Sequence, residues 1–334
     1  MNQPKIVVLG GGTGSFSLLP ALKELTPNIT AVVTMSDDGG STGVLRDELG
    51  VLPPGDVRQC LVALADDHTS PILRQLFNFR FEEGSLAGHS FGNLFLSATE
   101  KMTTDFGEAI SLVGEVLHIT GQVVPITLGN VRLAISWGDV VVRGEGVIDK
   151  MDFKGHHHQT PRLFLEPSAA INPIALTALA EADAVILAPG DIYTSLGPLL
   201  VVDGVAKALA RTKVPIVYTC NLVVNPRQTP GWSVADHARE LERLTGQSFI
   251  THVIYNTGKP NPKTLSRYDE AGEKLVKMKP AEHKSTSYKL IGTDLLSRQP
   301  VSRTPGDKLA AHRSFIRHNG PAVAQAIRSI LSES

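Results

Sequence analysis

The sequence predicts an α/β fold, and three observations support this prediction. Short apolar runs alternate with helical patterns in both halves of the chain, which is typical of parallel strands joined by crossover helices. Two of these runs, 6–9 and 184–188, end in segments of small residues. The region 122–147 instead holds three β-rich runs with short connections. We therefore expect a three-layer, Rossmann-like, mostly parallel sheet with an antiparallel β meander inserted into it.

Composition and charge limit the class of protein. The chain has 334 residues, of which 42% are hydrophobic, and we expect one domain over 1–334. Lys and Arg number 32 against 33 Asp and Glu, so we expect neither a nucleic acid nor a membrane as partner. Cys60 and Cys220 are the only cysteines, which excludes a disulfide scaffold. Because the sequence shows neither a leader pattern nor an apolar run of membrane length, we expect a cytoplasmic protein. We also expect a homo-oligomer.

A glycine run at 10–14 is the first functional signal. It joins the apolar run 6–9 to a helical pattern of leucines, so a strand, a turn and a helix N-terminus meet there. Such a helix start offers unpaired amides and the positive end of a dipole to a phosphate. The dinucleotide fingerprint is incomplete, because Ser15 replaces its third glycine, and a turn without a ligand is the alternative. The candidate ligand-binding residues are Gly11, Gly12, Thr13 and Gly14.

A second apolar run, 29–34, completes a βαβ unit and ends in two adjacent acids. Asp37 lies 25 positions after Gly12, near where a ribose-binding acid occurs in dinucleotide folds. Asp37 and Asp38 could accept hydrogen bonds from sugar hydroxyls or hold Mg²⁺ beside a diphosphate. The next residues could supply further phosphate-facing amides, and these candidates are Gly39, Gly40, Ser41 and Thr42. An acidic turn that caps a helix is the alternative.

Two further helix starts carry candidate residues. Asp56 follows Pro-Pro-Gly and, with Gln59, has the form of a capping box; we also include it among the ligand-binding candidates. Arg58 would oppose the helix dipole unless it reaches an anion such as a phosphate. Gly92 and Asn93 could either cap the following helix or approach a ligand.

In the middle of the chain the hydrophobic pattern changes from helical spacing to β-rich runs. Residues 105–118 have a helical pattern, and the β-rich runs 122–127, 131–137 and 140–147 follow with short connections. We therefore expect an antiparallel β subregion over 122–150. The three consecutive histidines at 156–158 are expected in an exposed loop, because neighbours in an extended chain point in alternating directions and rarely share one ion.

The second half returns to α/β alternation. Residues 184–188 predict a central parallel strand, and the loop that follows lies at the carboxyl edge, where open sheets bind ligands. The run 214–218 delivers another polar loop to the same edge. Candidate residues on these loops are Gly190, Tyr193, Thr194, Ser195 and Asn221. Further strands are expected at 249–255 and 288–291, and helices at 173–181, 199–210, 234–244, 308–317 and 323–331.

Six motifs in order resemble the CofD-like family, whose members include 2-phospho-L-lactate transferase and the YvcK-type gluconeogenesis factors. They are GGGTG at 10–14, SDDGGSTG at 36–43, PPGDVR at 53–58, GHSFGN at 88–93, APGDIYTSLGP at 188–198 and YTCN at 218–221. The resemblance covers nearly the whole chain. It implies a nucleotide at the carboxyl edge of the sheet, held by Gly12 to Gly14, by Asp37 and Asp38, and by Tyr193 to Ser195.

The resemblance implies two functions. For the YvcK type it implies UDP-sugar binding and a role in carbon metabolism and cell shape; the segments 88–93 and 192–198 are closer to this type. For the transferase it implies transfer of a phosphoryl-linked lactate from a guanylyl diphosphate donor to a deazaflavin alcohol, with a divalent metal. Asp191 departs from the small residue found in many YvcK-like chains.

We therefore predict a nucleotide-sugar-binding protein. The alternative is a Mg²⁺-dependent transferase, in which Asp37 or Asp38 would hold the metal and Arg58 would stabilise charge on the transferring phosphate. These three residues are the catalytic candidates, and whether turnover occurs stays open. An NAD-type oxidoreductase is disfavoured by the missing third glycine and the doubled Asp.

Overall fold

A computed structural model describes residues 3–66, 71–156, 159–270, 272–284, 286–298 and 316–333. The strands are β1 (Ile6–Leu9), β2 (Ile29–Val33), β3 (Gln122–Pro125), β4 (Arg132–Trp137), β5 (Val140–Arg143), β6 (Arg162–Glu166), β7 (Ala184–Leu187), β8 (Ile216–Thr219), β9 (His252–Asn256) and β10 (Lys289–Thr293). The helices are α1 (Gly12–Lys23), α2 (Gly40–Leu49), α3 (Gly55–Leu64), α4 (Pro71–Asn78), α5 (Phe91–Met102), α6 (Phe106–Val116), α7 (Glu145–Lys150), α8 (Pro173–Glu181), α9 (Gly197–Leu200), α10 (Val205–Arg211), α11 (Val234–Thr245), α12 (Pro262–Glu270) and α13 (Gly320–Glu333).

Seven strands form one parallel sheet in the order β10-β9-β8-β7-β1-β2-β3. The chain runs from β1 outward through β2 to β3, and later crosses back to β7 and runs outward on the other side. The strand order therefore reverses between β1 and β7, where Leu9 lies opposite Leu187. Open α/β sheets bind ligands at the carboxyl end of such a reversal.

Both faces of the sheet are covered, which confirms the predicted three-layer fold. In β1, Ile6 and Val8 belong to one buried cluster, whereas Val7 and Leu9 belong to the other. The first cluster includes residues of α1, α3, α6 and α13, and the second includes residues of α8 to α11. Because each strand residue packs against one of two helical layers, the central strands are continuous apolar runs, as the sequence indicated.

The predicted antiparallel meander is confirmed for its second and third strands, β4 and β5, and is wrong for its first strand. Its first run forms β3, which pairs parallel with β2 at the edge of the main sheet. Its third run ends at Arg143, because Gly144 adopts a positive φ of 96° and begins the helix α7. The antiparallel sheet has the order β5-β4-β6, so its third strand comes from β6, which the sequence pattern did not indicate. Val123 to Pro125 are buried, as expected for a strand of the main sheet.

Several helices differ from the predicted boundaries. The helix expected over 199–210 is split into α9 and α10 by Gly204, whose φ is 100°. Pro20 lies in the interior of α1, where it removes one backbone hydrogen bond. Most of the helix expected at 308–317 lies outside the described residues. Within the described part of the chain, every helix is too short or too polar to cross a membrane.

Candidate functional site

A cleft of about 920 Å³ opens at the carboxyl edge of the sheet, where the strand order reverses. Three loops line most of it: 11–14 after β1, 189–195 after β7, and 221–227 after β8. Because parallel strands end at the same edge, loops far apart in sequence meet there. Single residues from other segments complete the lining, namely Ser17, Asp149, Lys150, Glu273, Ile316, Arg317 and His318.

The glycine loop approaches its neighbours too closely for side chains. A Cβ on Gly11 would overlap the Asp56 carboxylate, and a Cβ on Gly14 would overlap the Pro189 carbonyl oxygen. Helix α1 begins immediately, at Gly12, and its N-cap residue makes no side-chain capping bond. The amides of the first helical turn have no acceptor within their own helix, so Thr13 and Gly14 present N–H groups at the cleft.

Asp56 lies behind the glycine loop and does not form the predicted capping box. Helix α3 starts at Gly55, its N-cap is Pro54, and no side chain caps it. The Asp56 carboxylate instead accepts a hydrogen bond from the Gly12 amide. Burial, together with the nearby Asp37 carboxylate, raises the pKa of Asp56 to about 7. One amide of the glycine loop is therefore already bonded within the protein.

Asp37 faces the same interior as Asp56. Its Oδ1 accepts from the Gly39 amide at 2.9 Å, and its carboxylate also bonds the Thr42 side chain. A Cβ on Gly55, the first residue of α3, would lie 2.9 Å from Asp37 Oδ2. Burial raises the pKa of Asp37 above its ordinary value despite these bonds. Two carboxylates thus lie partly buried between the glycine loop and the start of α2.

Asp38 contacts the start of α7. Its Oδ1 accepts from the Gly146 amide at 2.9 Å. This contact brings in Glu145, a residue the sequence interpretation missed. Burial, with a further contribution from Asp37, raises the pKa of Glu145 to about 9. The Gly-Glu-Gly segment at 144–146 was the available signal, because it places an acid between two flexible residues.

Arg58 lies outside the cleft lining and is hydrogen-bonded to two neighbouring helices. The residue is 8% exposed, and its guanidinium donates from Nε to Asn93 Oδ1 at 3.0 Å and from Nη1 to Asn78 Oδ1 at 2.8 Å. Nη1 also donates to the Phe77 carbonyl. A Cβ on Gly92 would lie 2.7 Å from the Arg58 side chain, so this glycine makes room for the arginine. Arg58 therefore joins α3 to α4 and α5.

Of the predicted site residues on the loops after β7 and β8, some line the cleft and others lie in the core. Gly190, Ser195 and Asn221 line the cleft, and the Asn221 amide donates to the Gly190 carbonyl at 2.9 Å. Tyr193 is in the core instead: it is 2% exposed and its hydroxyl donates to Glu240 at 2.7 Å. Thr194 is buried beside it. A π-helical turn over Ile192–Leu196 turns these two side chains inward.

Of the predicted site residues on the loops after β1 and β2, only those of the glycine loop line the cleft. All four candidates of the glycine loop line the cleft, whereas the loop 39–42 lies beside the acidic residues and outside the cleft lining. Within that loop, Ser41 hydrogen-bonds His89 at 2.9 Å and Gly40 has a φ of 49°. Asn93 Oδ1 accepts from Arg58, and the Asn93 backbone amide donates to the hydroxyl of Ser90, the N-cap of α5. Cleft residues that the sequence interpretation missed include Asn225, Arg227, Glu273 and His318.

The comparisons with known proteins agree with one another on the family. A family model described as 2-phospho-L-lactate transferase CofD matches residues 6–296. A protein named "Gluconeogenesis factor" from Bacillus subtilis is 34% identical over 336 residues, covering 99% of both chains. One of the same name from Halalkalibacterium halodurans is 36% identical over 332 residues, covering 98% of this chain and 96% of its own. A crystal structure of a UPF0052 family member from Bacillus halodurans superimposes with a TM-score of 0.87 at 33% identity, over 98% of this chain and 99% of that one.

Proposed function

The chain belongs to the CofD family, and from that premise we propose that it is a cytoplasmic nucleotide-sugar-binding protein of the gluconeogenesis-factor type, with a role in carbon metabolism. The ligand we propose is a UDP-sugar. One observation supports this above the others: three loops meet around a single cleft where the strand order of the parallel sheet reverses. A volume of about 920 Å³ suits a ligand with two ring systems.

The lining of the cleft matches the parts of such a ligand. The Thr13 and Gly14 amides at the start of α1 would hold the diphosphate, together with the Ser195 hydroxyl. Lys150 and Arg227, which also line the cleft, would balance its negative charge. Asn221 and Asn225 supply amide groups, which can donate to and accept from a base or a sugar.

We propose that a magnesium ion binds beside this cleft. Within the described residues no group of three or more His, Cys, Asp or Glu side chains could hold a metal ion. Mg²⁺ commonly takes one or two carboxylates and completes its shell with water and ligand phosphates. Asp37 and Asp56 are two adjacent, partly buried carboxylates whose charge is costly without a cation. We propose that these two hold Mg²⁺; Asp38, the other metal candidate, is bonded to the Gly146 amide.

The second candidate function is a Mg²⁺-dependent transferase, and the position of the carboxylate pair supports it. Asp56 touches the amide of Gly12, so a cation held there would lie beside a diphosphate on the glycine loop. Such a cation supplies charge stabilisation for phosphoryl transfer, and an acceptor hydroxyl is the nucleophile. Arg58, the third catalytic candidate, has no part in this proposal because its guanidinium is bonded to α4 and α5.

Calorimetric titration distinguishes the two functions. We expect UDP-sugars to bind and to raise the melting temperature, because a ligand that binds only the native state stabilises it. GDP with a deazaflavin alcohol, and NAD, serve as the competing ligands in the same panel. Binding of GDP together with the alcohol would favour the transferase, and consumption of the alcohol would require a guanylyl diphosphate donor that carries the phosphoryl-linked lactate. A protein that binds NAD and neither class of nucleotide would contradict both functions.

Asp56→Asn should change how stability depends on pH. The pKa of Asp56 is raised from 3.8 to about 7, so between these values the native state binds more protons than the unfolded state. The free energy of unfolding of the metal-free protein should therefore fall as pH rises through this window. Asp56→Asn should reduce that fall and abolish stabilisation by Mg²⁺ at pH 8. Urea unfolding at pH 5, 6, 7 and 8 measures both effects.

The control for this prediction is Asp47→Asn, because Asp47 is exposed and pairs with Arg132 on the surface. Its unfolding curves should follow those of the parent protein at each pH. If Asp56→Asn shows the same pH dependence and the same Mg²⁺ effect as the parent protein, the pKa of Asp56 is not raised and its carboxylate does not bind the metal.

A further inference from the structure

His318 lies on the wall of the cleft, two residues before helix α13. The residues on either side of it are held by the backbone: the Arg317 carbonyl accepts, and the Asn319 amide donates, in hydrogen bonds of 2.8 and 2.7 Å to the segment 295–297. The imidazole Nε2 lies 3.0 Å from the Cys220 carbonyl oxygen. His318 is therefore fixed beside the loop that follows β8.

The hydrogen bond to Cys220 fixes the tautomer of the imidazole. A carbonyl oxygen can only accept, so Nε2 must carry the proton. Burial, with a smaller contribution from the charge of Arg317, lowers the pKa of His318 to about 4, so the ring is neutral at neutral pH and its Nδ1 is an acceptor. Nδ1 takes no hydrogen bond from the described residues and is not among their buried unpaired atoms. This acceptor is therefore open to the cleft.

The neighbours of His318 in the cleft are apolar side chains, which suit a planar base. Leu222 and Val223 follow Cys220 on the loop after β8, and Ile316 precedes His318 by two residues; all three line the cleft. One strand, β7, separates β8 from β1, so this wall lies about 10 Å from the glycine loop. A ribose separates the base from the diphosphate in a nucleoside diphosphate. A base beside His318 and a diphosphate on the glycine loop can thus belong to one ligand.

We propose that His318 selects the base of the ligand, and that its Nδ1 accepts a hydrogen bond from the ring N–H of uracil. The inference rests on the proposed nucleotide-sugar site and names the group that would determine its specificity. Cytosine has an acceptor nitrogen where uracil has this N–H, and two acceptors that face each other in a buried site are both left unpaired. Guanine shares the ring N–H and adenine lacks it. The cleft should therefore bind uracil or guanine nucleotides and reject those of cytosine and adenine.

Comparison of UDP with CDP by calorimetry tests this proposal on the parent protein. The parent should bind UDP about 10-fold to 100-fold more tightly than CDP, because CDP leaves the Nδ1 acceptor unpaired. A UDP analogue methylated on the ring nitrogen should bind as weakly as CDP, since it has lost the same donor. If the parent binds GDP in place of UDP, ADP replaces CDP in the same comparison.

His318→Phe tests the role of the side chain, because it keeps a planar ring and removes both nitrogens. The preference for UDP over CDP should fall by about threefold to tenfold, the usual effect of one hydrogen bond. His252→Gln is the matched control: His252 lies at the amino end of β9, at the sheet edge opposite the cleft. Its preference should stay within about twofold of the parent value.

A structural role for His318 would give a different result. His318→Phe would then weaken UDP and CDP by the same factor and leave the preference unchanged, which would overturn the inference. A parent protein that binds UDP and CDP alike, or the methylated analogue as tightly as UDP, would also overturn it, and these results do not depend on the folding of any variant. A parent protein that binds no nucleoside diphosphate would overturn the proposed function itself.

Discussion

Gly14→Ala should abolish nucleotide binding and destabilise the protein by about 3 kcal/mol, near the upper end of overpacking effects. The added methyl would overlap the Pro189 carbonyl oxygen, which belongs to the backbone and cannot rotate away. The loop after β1 and the loop after β7 must then separate, and the proposed diphosphate site between them is lost. Urea unfolding measures the stability, and titration with a UDP-sugar measures the binding.

The control for Gly14→Ala is Gly155→Ala, because a Cβ at Gly155 meets no atom within 4 Å and its backbone is not in the left-handed region. This variant should keep both its stability and its affinity. A Gly14→Ala protein with normal affinity for the nucleotide would show that the two loops do not form the site. A loss of stability without a loss of affinity would lead to the same conclusion.

Arg58→Met should lower the free energy of unfolding by about 3 kcal/mol, because Asn78, Asn93 and the Phe77 carbonyl lose their donor in a buried setting. For a chain of 334 residues the melting temperature should fall by roughly 4 °C. Affinity for a nucleotide-sugar, measured well below the melting temperature, should change by less than about threefold. Arg58→Lys keeps the charge and loses the planar fork, so it should recover only part of the stability.

Arg239→Met is the matched control for Arg58→Met, because Arg239 is exposed and pairs with Asp236 on the surface of α11. It should cost less than about 1 kcal/mol. The account of Arg58 would be contradicted by an Arg58→Met protein that melts like the parent and yet loses nucleotide affinity. That outcome would return Arg58 to the catalytic role that its place in the sequence first indicated.

The sequence predicted the sheet because its central strands are buried on both faces. Strands such as β1 and β7 are continuous apolar runs for that reason, and each ends in small residues at the carboxyl edge. The glycine loop could be predicted because it is the segment of small residues that directly follows β1. The position of β3 could not, because a short edge strand has the same residues whether its partner is parallel or antiparallel.

Two of the predicted site residues lie outside the cleft lining for a shared physical cause. Tyr193 and Arg58 are polar residues at strand or helix ends, which is where ligand-binding residues also occur. The direction of such a side chain depends on the local backbone and on the space beside it. The π turn at Ile192–Leu196 directs Tyr193 to Glu240. The missing side chain of Gly92 leaves room for Arg58. Glu145 was missed because it reaches the acidic interior from the inserted sheet, which is remote in sequence from both Asp37 and Asp56.

A crystal structure with a UDP-sugar and Mg²⁺ tests the central claim most directly. We predict that the diphosphate lies against the Thr13 and Gly14 amides and within reach of Ser195, with the ion between the diphosphate and the carboxylates of Asp37 and Asp56. A ligand bound elsewhere would contradict the account. The clearest case would be the hollow of about 620 Å³ at the amino ends of β1 to β3, lined by Lys5, Asn28 and Gln122.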